Sequence, residues 1–334
     1  MYVRQFEEEE EEEEDSPVSA LVEKSEAEYV FDGFDIEFSE KIALTPLTPK
    51  RGPVSHGQSI SRAFRAEPVV GSREEMPKAV FDRINADQDR YDARKKITDL
   101  AAGSTIASFA WPGRGRAPIG YTKGMALVFA KVYCKFRAGD AAAVEMAKAN
   151  TGVADTDALA HLAAEFTAAG MDNSVAGADT LRHLFVLLMS LGMRESSGKY
   201  CQGRDLGASN TSADTAEAGL FQTSFNARGA HATMPQLFTQ YKANPEGFVD
   251  VFKEGVTCTA ANLKNWGTGD GQEYQRLSKA APAFHTEFTA VGLRNRRRHW
   301  GPINMKTVEL RAEADQMLRQ VQDLVDAQNL CPLL

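Results

Sequence analysis

From residue 123 onward the order of apolar and polar residues follows a helical period. "KGMALVFAKVYCKF" (123–136) puts Met125, Val128, Phe129, Val132 and Phe136 on one face, which predicts an amphipathic helix. Ala-rich helical patterns continue at 139–150 and 155–169. The most apolar predicted helix spans 180–195. There Leu181, Leu184, Phe185, Leu188 and Leu191 form one stripe, and Val186, Leu187 and Met189 make the other faces apolar too. A helix apolar nearly all round belongs in the centre of a core. Asp179 or Thr180 can cap its start, and "ESSG" (195–198) stops it.

Shorter helices are expected at 233–242, 246–255, 258–265, 271–281 and 283–294, and a longer one at 306–328. In the last, Ala314, Met317, Leu318, Val321, Leu324 and Val325 keep helical spacing. Convincing strands are few. "WPGRGRAPIGY" (111–121) reads as a Gly/Pro loop, and only 200–224 is polar and turn-rich enough for a small hairpin. The expected class is mainly α (α+β), with a folded domain over 76–334.

Charge separates that domain from what precedes it. Residues 1–40 hold sixteen Asp/Glu against two Lys/Arg, so the whole-chain net of −8 conceals a body of +6. The eight consecutive glutamates of Glu7–Glu14 repel one another, and Pro/Ser/Gly-rich sequence follows at 45–72. Residues 1–75 are therefore expected to form a disordered acidic tail and linker. Within it "YVFDGFDIEF" (29–38) interleaves aromatics with acids, either as a docking motif for an export adaptor or chaperone or as plain solvated tail. The first residues are acidic where a secretory signal needs an apolar stretch, and no apolar run is long enough to span a bilayer. Cys134, Cys201, Cys258 and Cys331 include no CxxC pair. His161 and Glu165 share a helix face without a second ligand pair, so neither a metal nor a cofactor is expected. Cys201 and Cys258 are open to two readings, a disulfide or two buried thiols, because spacing does not report distance.

The chemistry concentrates at Glu195. Apolar surroundings and the negative end of a helix dipole both disfavour its charged form. A carboxyl held protonated near neutral pH suits a general acid. Beyond it lie "ES" (Glu195, Ser196), then "GLFQ" (Gly219, Leu220, Phe221, Gln222), then Asn265-Trp266-Gly267. In this order over about residues 180–270 the elements resemble the lysozyme-like superfamily, specifically goose-type lysozymes and soluble lytic transglycosylases. The resemblance implies a lysozyme-like domain with a small β-hairpin that cleaves β-1,4 glycosidic bonds of peptidoglycan. Glu195 would protonate the glycosidic oxygen. Ser196 would orient the carboxylate or the sugar, the Gly219 backbone would allow close approach to the saccharide, Phe221 would belong to the same substrate-binding turn, and Gln222 would hydrogen-bond a sugar N-acetyl or hydroxyl group. Asn265 and Trp266 would form the far wall.

Two positions depart from the pattern. Ser224 stands where goose-type enzymes often carry an Asp, and Lys264 stands where a Tyr precedes the Asn-x-Gly. The second carboxylate of a hydrolytic mechanism must then come from elsewhere. Asp205 is the first choice and Asp214 the next, with Glu217 the third candidate. If none serves, the single-acid route of the lytic transglycosylases remains, in which the sugar's own 6-hydroxyl closes an anhydro ring.

The alternatives to peptidoglycan cleavage are a chitinase- or chitosanase-type glycosidase on the same scaffold, and a non-catalytic glycan-binding or interaction protein. "LRNRRRHWGPIN" (293–304) packs Arg294, Arg296, Arg297 and Arg298 together, either to grip anionic groups of the wall or to cap a helix end. It is the one feature that favours a nucleic acid, and such a partner is not expected. Without a secretory signal, a wall-cleaving enzyme made in the cytoplasm would leave as an effector through a non-Sec route, or be released by lysis.

Overall fold

In a computed structural model the described residues are 78–205, 207 and 212–334. The acidic tail, its linker and the 29–38 motif lie outside them. The described part is mainly helical, with a two-stranded antiparallel hairpin.

Three helices form the centre. Ala178–Ser196 is buried along nearly its whole length, as its all-round apolarity predicts, and Pro282–Asn295 is buried from Pro282 to Arg294. Ile119–Arg137 packs against both and also against the N-terminal helix Lys78–Ala102. The C-terminal helix Ala312–Ala327 covers Ala178–Ser196 and Ile119–Arg137 with the stripe Ala314, Met317, Leu318, Val321 and Val325. Leu324 is only partly buried against this core. Thr233–Ala243 and Gly269–Ala280 pack on Pro282–Asn295 from the other side.

Several sequence expectations are corrected. The hairpin pairs Ala110–Trp111 with Gly115–Arg116, inside the presumed loop, and none is formed by the described residues of 200–224. Gly113 (φ 68°) and Gly115 (φ 71°) supply its left-handed turn, and Trp111 anchors it in the core. Among the described residues of 200–224 only the bridge Ala218–Thr223 is strand-like. The central helix starts from Gly177 (φ 151°) without a side-chain cap. Asp179 instead pairs with the buried Arg182, and Thr180 Oγ1 donates to the Val175 carbonyl. The helices expected at 246–255 and 258–265 shrink to Val249–Phe252 and Ala260–Leu263.

All four cysteines are paired. Cys134–Cys331 joins the C-terminus to Ile119–Arg137, and Cys201–Cys258 ties the segment after the central helix to the turn before Ala260–Leu263. Closing loops of this size stabilises a fold by about 2–4 kcal/mol each.

Half of the arginine cluster is structural. Arg294, 3% exposed, meets Asp157, which is fully buried, through Nε and Nη2 at 3.0 Å. Its remaining N–H groups donate to the carbonyls of Met146, Lys148 and Ala149. These carbonyls belong to the last residue of the helix Ala141–Met146 and to the turn that follows it. Arg294→Met strands a buried carboxylate. It is expected to lower unfolding free energy by about 3–5 kcal/mol, read as a lower urea midpoint with unchanged slope. Arg297 likewise donates to Ala154 O and Asn304 Oδ1.

Candidate active site

The central helix ends in a left-handed turn at Ser197 (φ 54°) and Gly198 (φ 76°), where the Gly198 N–H reaches back to the Gly192 carbonyl at 3.1 Å. Tyr121 crosses the helix one turn earlier. Its hydroxyl donates to Met189 O at 2.9 Å, and the absence of a side chain at Gly192 makes room for it. This clamp fixes the frame on which Glu195 is carried. The hairpin lies alongside, since Arg194 donates to Pro112 O and also pairs with Glu309.

Glu195 is partly buried and makes no hydrogen bond or ion pair to any described residue. Burial pushes its pKa up to about 7, helped by the charge of Glu217 and opposed by Arg114 on the hairpin turn. The pKa of Glu217 is raised as well, by burial first and then by Asp205. Burial thus raises both Glu195 and Glu217, and charge couples them in sequence, Asp205 acting on Glu217 and Glu217 on Glu195. Two coupled carboxyls can serve as acid and base in one site.

The structure does not bring Asp214 to Glu195. Asp214 is half exposed and sits 3.6 Å from Arg228, while its carbonyl accepts the Asn226 N–H. Asp205 is exposed, accepts the Gly207 N–H at 2.8 Å, and acts on Glu217. Glu217, third among the three sequence candidates, is the one beside Glu195.

Ser196 is buried and donates to the Gly192 carbonyl of its own helix, so its hydroxyl is not aimed at Glu195. Gly219 (φ 74°) forms a turn that no Cβ fits, because one would lie 2.5 Å from His285 Nδ1. Its N–H donates to Gln202 O at 2.8 Å, which joins the turn to the segment leading to Asp205. The Phe221 side chain is in the core rather than on a cleft wall, and its carbonyl accepts Trp300 Nε1–H. Gln222 holds a left-handed backbone (φ 44°) and donates to Gly219 O at 3.0 Å. The "GLFQ" element is thus a self-bonded turn seated on His285 and Trp300.

Trp266 is 37% exposed, with the Arg204 guanidinium 4.7 Å from its ring centre. Gln275, 1% exposed and not singled out in the sequence, accepts the Trp266 N–H. It also donates to the carbonyls of Trp266 and Ala213. It therefore stitches the Trp266 wall to the strand of chain that leads to Glu217. Gly267 allows this approach, since a Cβ there would meet Ala213 at 2.6 Å. Asn265 lies apart, lining a largely apolar cavity of about 340 Å3 with Tyr200 and Lys279. Ser224, 2% exposed, donates to Asn226 Oδ1 and lines a different cavity of about 390 Å3 that includes Glu217.

Among the described residues no group of three or more His, Cys, Asp or Glu side chains is arranged to hold a metal ion, and no helix is long and apolar enough to cross a membrane. Comparison with protein-family models, curated proteins and solved structures finds no match to this chain.

Proposed function

We propose that this protein cleaves β-1,4 glycosidic bonds of peptidoglycan on a lysozyme-like scaffold. The observation that carries the reading is Glu195. It is a partly buried carboxyl with no hydrogen-bond or ion-pair partner among the described residues and a pKa near 7, fixed at the end of the central helix and coupled to a second carboxyl. In this reading Glu195 donates its proton to the glycosidic oxygen as the bond to the anomeric carbon breaks. Glu217 takes a proton from the attacking water. The oxocarbenium-like charge that develops lies between them. Trp266 and Arg204 supply a wall against which a sugar ring packs. The two disulfides support an oxidising destination, so the cell wall outside the cytoplasm is the proposed place of action, reached by a non-Sec route or by lysis. An export adaptor or chaperone would read the acidic tail.

The substrate class is tested by incubating the protein with purified peptidoglycan, chitin and chitosan, and analysing soluble products by mass spectrometry. Muropeptides with reducing ends are expected from peptidoglycan, at a rate at least about tenfold above that on the other two polymers. Equal or faster turnover of chitin or chitosan moves the activity to that polymer. Binding with no soluble product from any of the three identifies a glycan-binding protein instead.

A further inference from the structure

A further cavity, of about 240 Å3, shares no lining residue with the candidate active site. Lys131 and Lys135 enter it from the helix Ile119–Arg137, four residues apart and therefore on one face. Gln240, Tyr241, Asn244 and Glu246 line it from the helix Thr233–Ala243 and the chain just after it. Like charges at this helical spacing repel, so each ammonium calls for its own compensation.

Lys135 has that compensation. Its Nζ donates to Glu287 Oε2 at 2.5 Å, and the fully buried Glu287 also accepts the Tyr241 hydroxyl at 2.7 Å. Lys131 is half-buried, and its ammonium makes no hydrogen bond or ion pair to any described residue. It lies instead over two rings, 5.1 Å from the centre of Tyr241 and 5.5 Å from that of Phe248. Glu246, the carboxylate on the lining, is taken by Arg94, whose guanidinium sits 5.1 Å from the Phe248 ring centre. Burial pulls the Lys131 pKa down, opposed by the charges of Glu287 and Glu246 and reinforced by Lys135 and Arg94. Ring faces attract a cation, but they leave the N–H donors of Lys131 without oxygen acceptors.

The frame around this ammonium is imposed by the fold. Phe248 keeps a left-handed backbone (φ 59°) directly after Gly247, where a Cβ would lie 2.4 Å from Ala281. A residue other than glycine holds that conformation only where its surroundings determine it. Across the cavity, the exposed carboxamides of Gln240 and Asn244 make no side-chain hydrogen bond to any described residue. The lining thus offers one uncompensated ammonium, a second that is shared with Glu287, and two neutral NH2 donors. Donors on two facing elements suit an anion with oxygens on several sides, and lysine binds phosphate as a point charge.

We infer that this cavity binds a phosphate group, with Lys131 as its main cation, Lys135 adding charge, and Gln240 and Asn244 donating from the other side. Two sources supply such a group, free inorganic phosphate and a phosphomonoester of a small molecule. The site is independent of wall cleavage, since neither Glu195 nor Glu217 takes part in it.

Calorimetric titration of the full chain at pH 7 and constant ionic strength provides the test, with inorganic phosphate, glycerol 3-phosphate and acetate as probes. At least one phosphate probe is expected to bind about tenfold or more tightly than acetate, and the tighter of the two names the source. Lys131→Gln is expected to weaken that binding about tenfold or more. Asn244→Ala, an exposed change that leaves the core untouched, is expected to weaken it about threefold. Lys306→Gln, on a lysine paired with Glu165 and outside this lining, is expected to bind as the wild type does. The bound probe should also raise the melting temperature of the wild type and not that of Lys131→Gln. No phosphate binding, equal binding of acetate, or wild-type affinity in Lys131→Gln overturns the site.

Discussion

Glu195→Gln is expected to abolish wall cleavage and at the same time to make the protein more stable above neutral pH. A missing general acid costs about 10²–10⁴-fold in rate, because Gln keeps the shape and cannot donate the proton. The stability effect follows from linkage. The folded-state pKa of about 7 lies above the ordinary value of 4.5. The native state therefore holds a proton that the unfolded chain has lost between those values, and stability falls as pH rises through this window. Well above pH 7 the ionised Glu195 destabilises the wild type by about 3 kcal/mol, a penalty the amide does not carry. Urea denaturation at pH 8 should show that gain in Glu195→Gln, and at pH 4, where both side chains are neutral, the two proteins should match. A rate loss with no gain at pH 8 would mean that Glu195 is not the buried, proton-holding group described. The same proton sets an expectation for activity: kcat of the wild type should decline as pH rises past about 7.

Glu217→Gln is expected to lower kcat by about 10²–10³-fold and to shift the alkaline limb of the pH profile to lower pH. The first effect follows from its proposed role as the base for water. The second does not depend on that role, because the Glu217 charge helps hold the Glu195 pKa up, and removing it lets Glu195 ionise earlier. The two readouts separate the mechanisms. Anhydro-ended products at near wild-type rate, with the shifted limb, would assign bond closure to the sugar's own hydroxyl and leave Glu217 only an electrostatic influence. Asp214→Asn, on a side chain paired with Arg228, should leave both rate and pH profile close to wild type.

The helix carrying Glu195 was legible because its pattern is strong: apolar residues on every face and a breaker sequence at its end. Ile119–Arg137 and Ala312–Ala327 were legible for the same reason, one apolar stripe at helical spacing. Lys78–Ala102 was not, because only Ala93, Ile97 and Ala101 of its side chains are buried, too few to make a period. The hairpin at 110–116 escaped notice because strands this short cannot display alternation, and its two glycines read equally well as loop.

At the site, the carboxyl at the helix end could be singled out, but its neighbour could not. Asp205 looked closest because it is nearer in the chain to Glu195. The Gly219–Gln202 hydrogen bond folds the chain back and sets Glu217 there instead. Gln275 and Tyr121, which hold the walls in register, carried no signal beyond helical position. The disulfides were a matter of distance, which spacing does not report. The roles of Arg294 and Arg296 diverge although the residues are two apart, because one points into the core and the other lines the cavity that includes Glu217.

The most direct test of the central claim is a parallel digestion of purified peptidoglycan by wild type and Glu195→Gln at pH 6, with soluble muropeptides quantified by mass spectrometry. Release by the wild type, with release by Glu195→Gln at least about a hundredfold lower and the variant fully folded, is the predicted result. Equal release by both proteins, or none by the wild type, would contradict it.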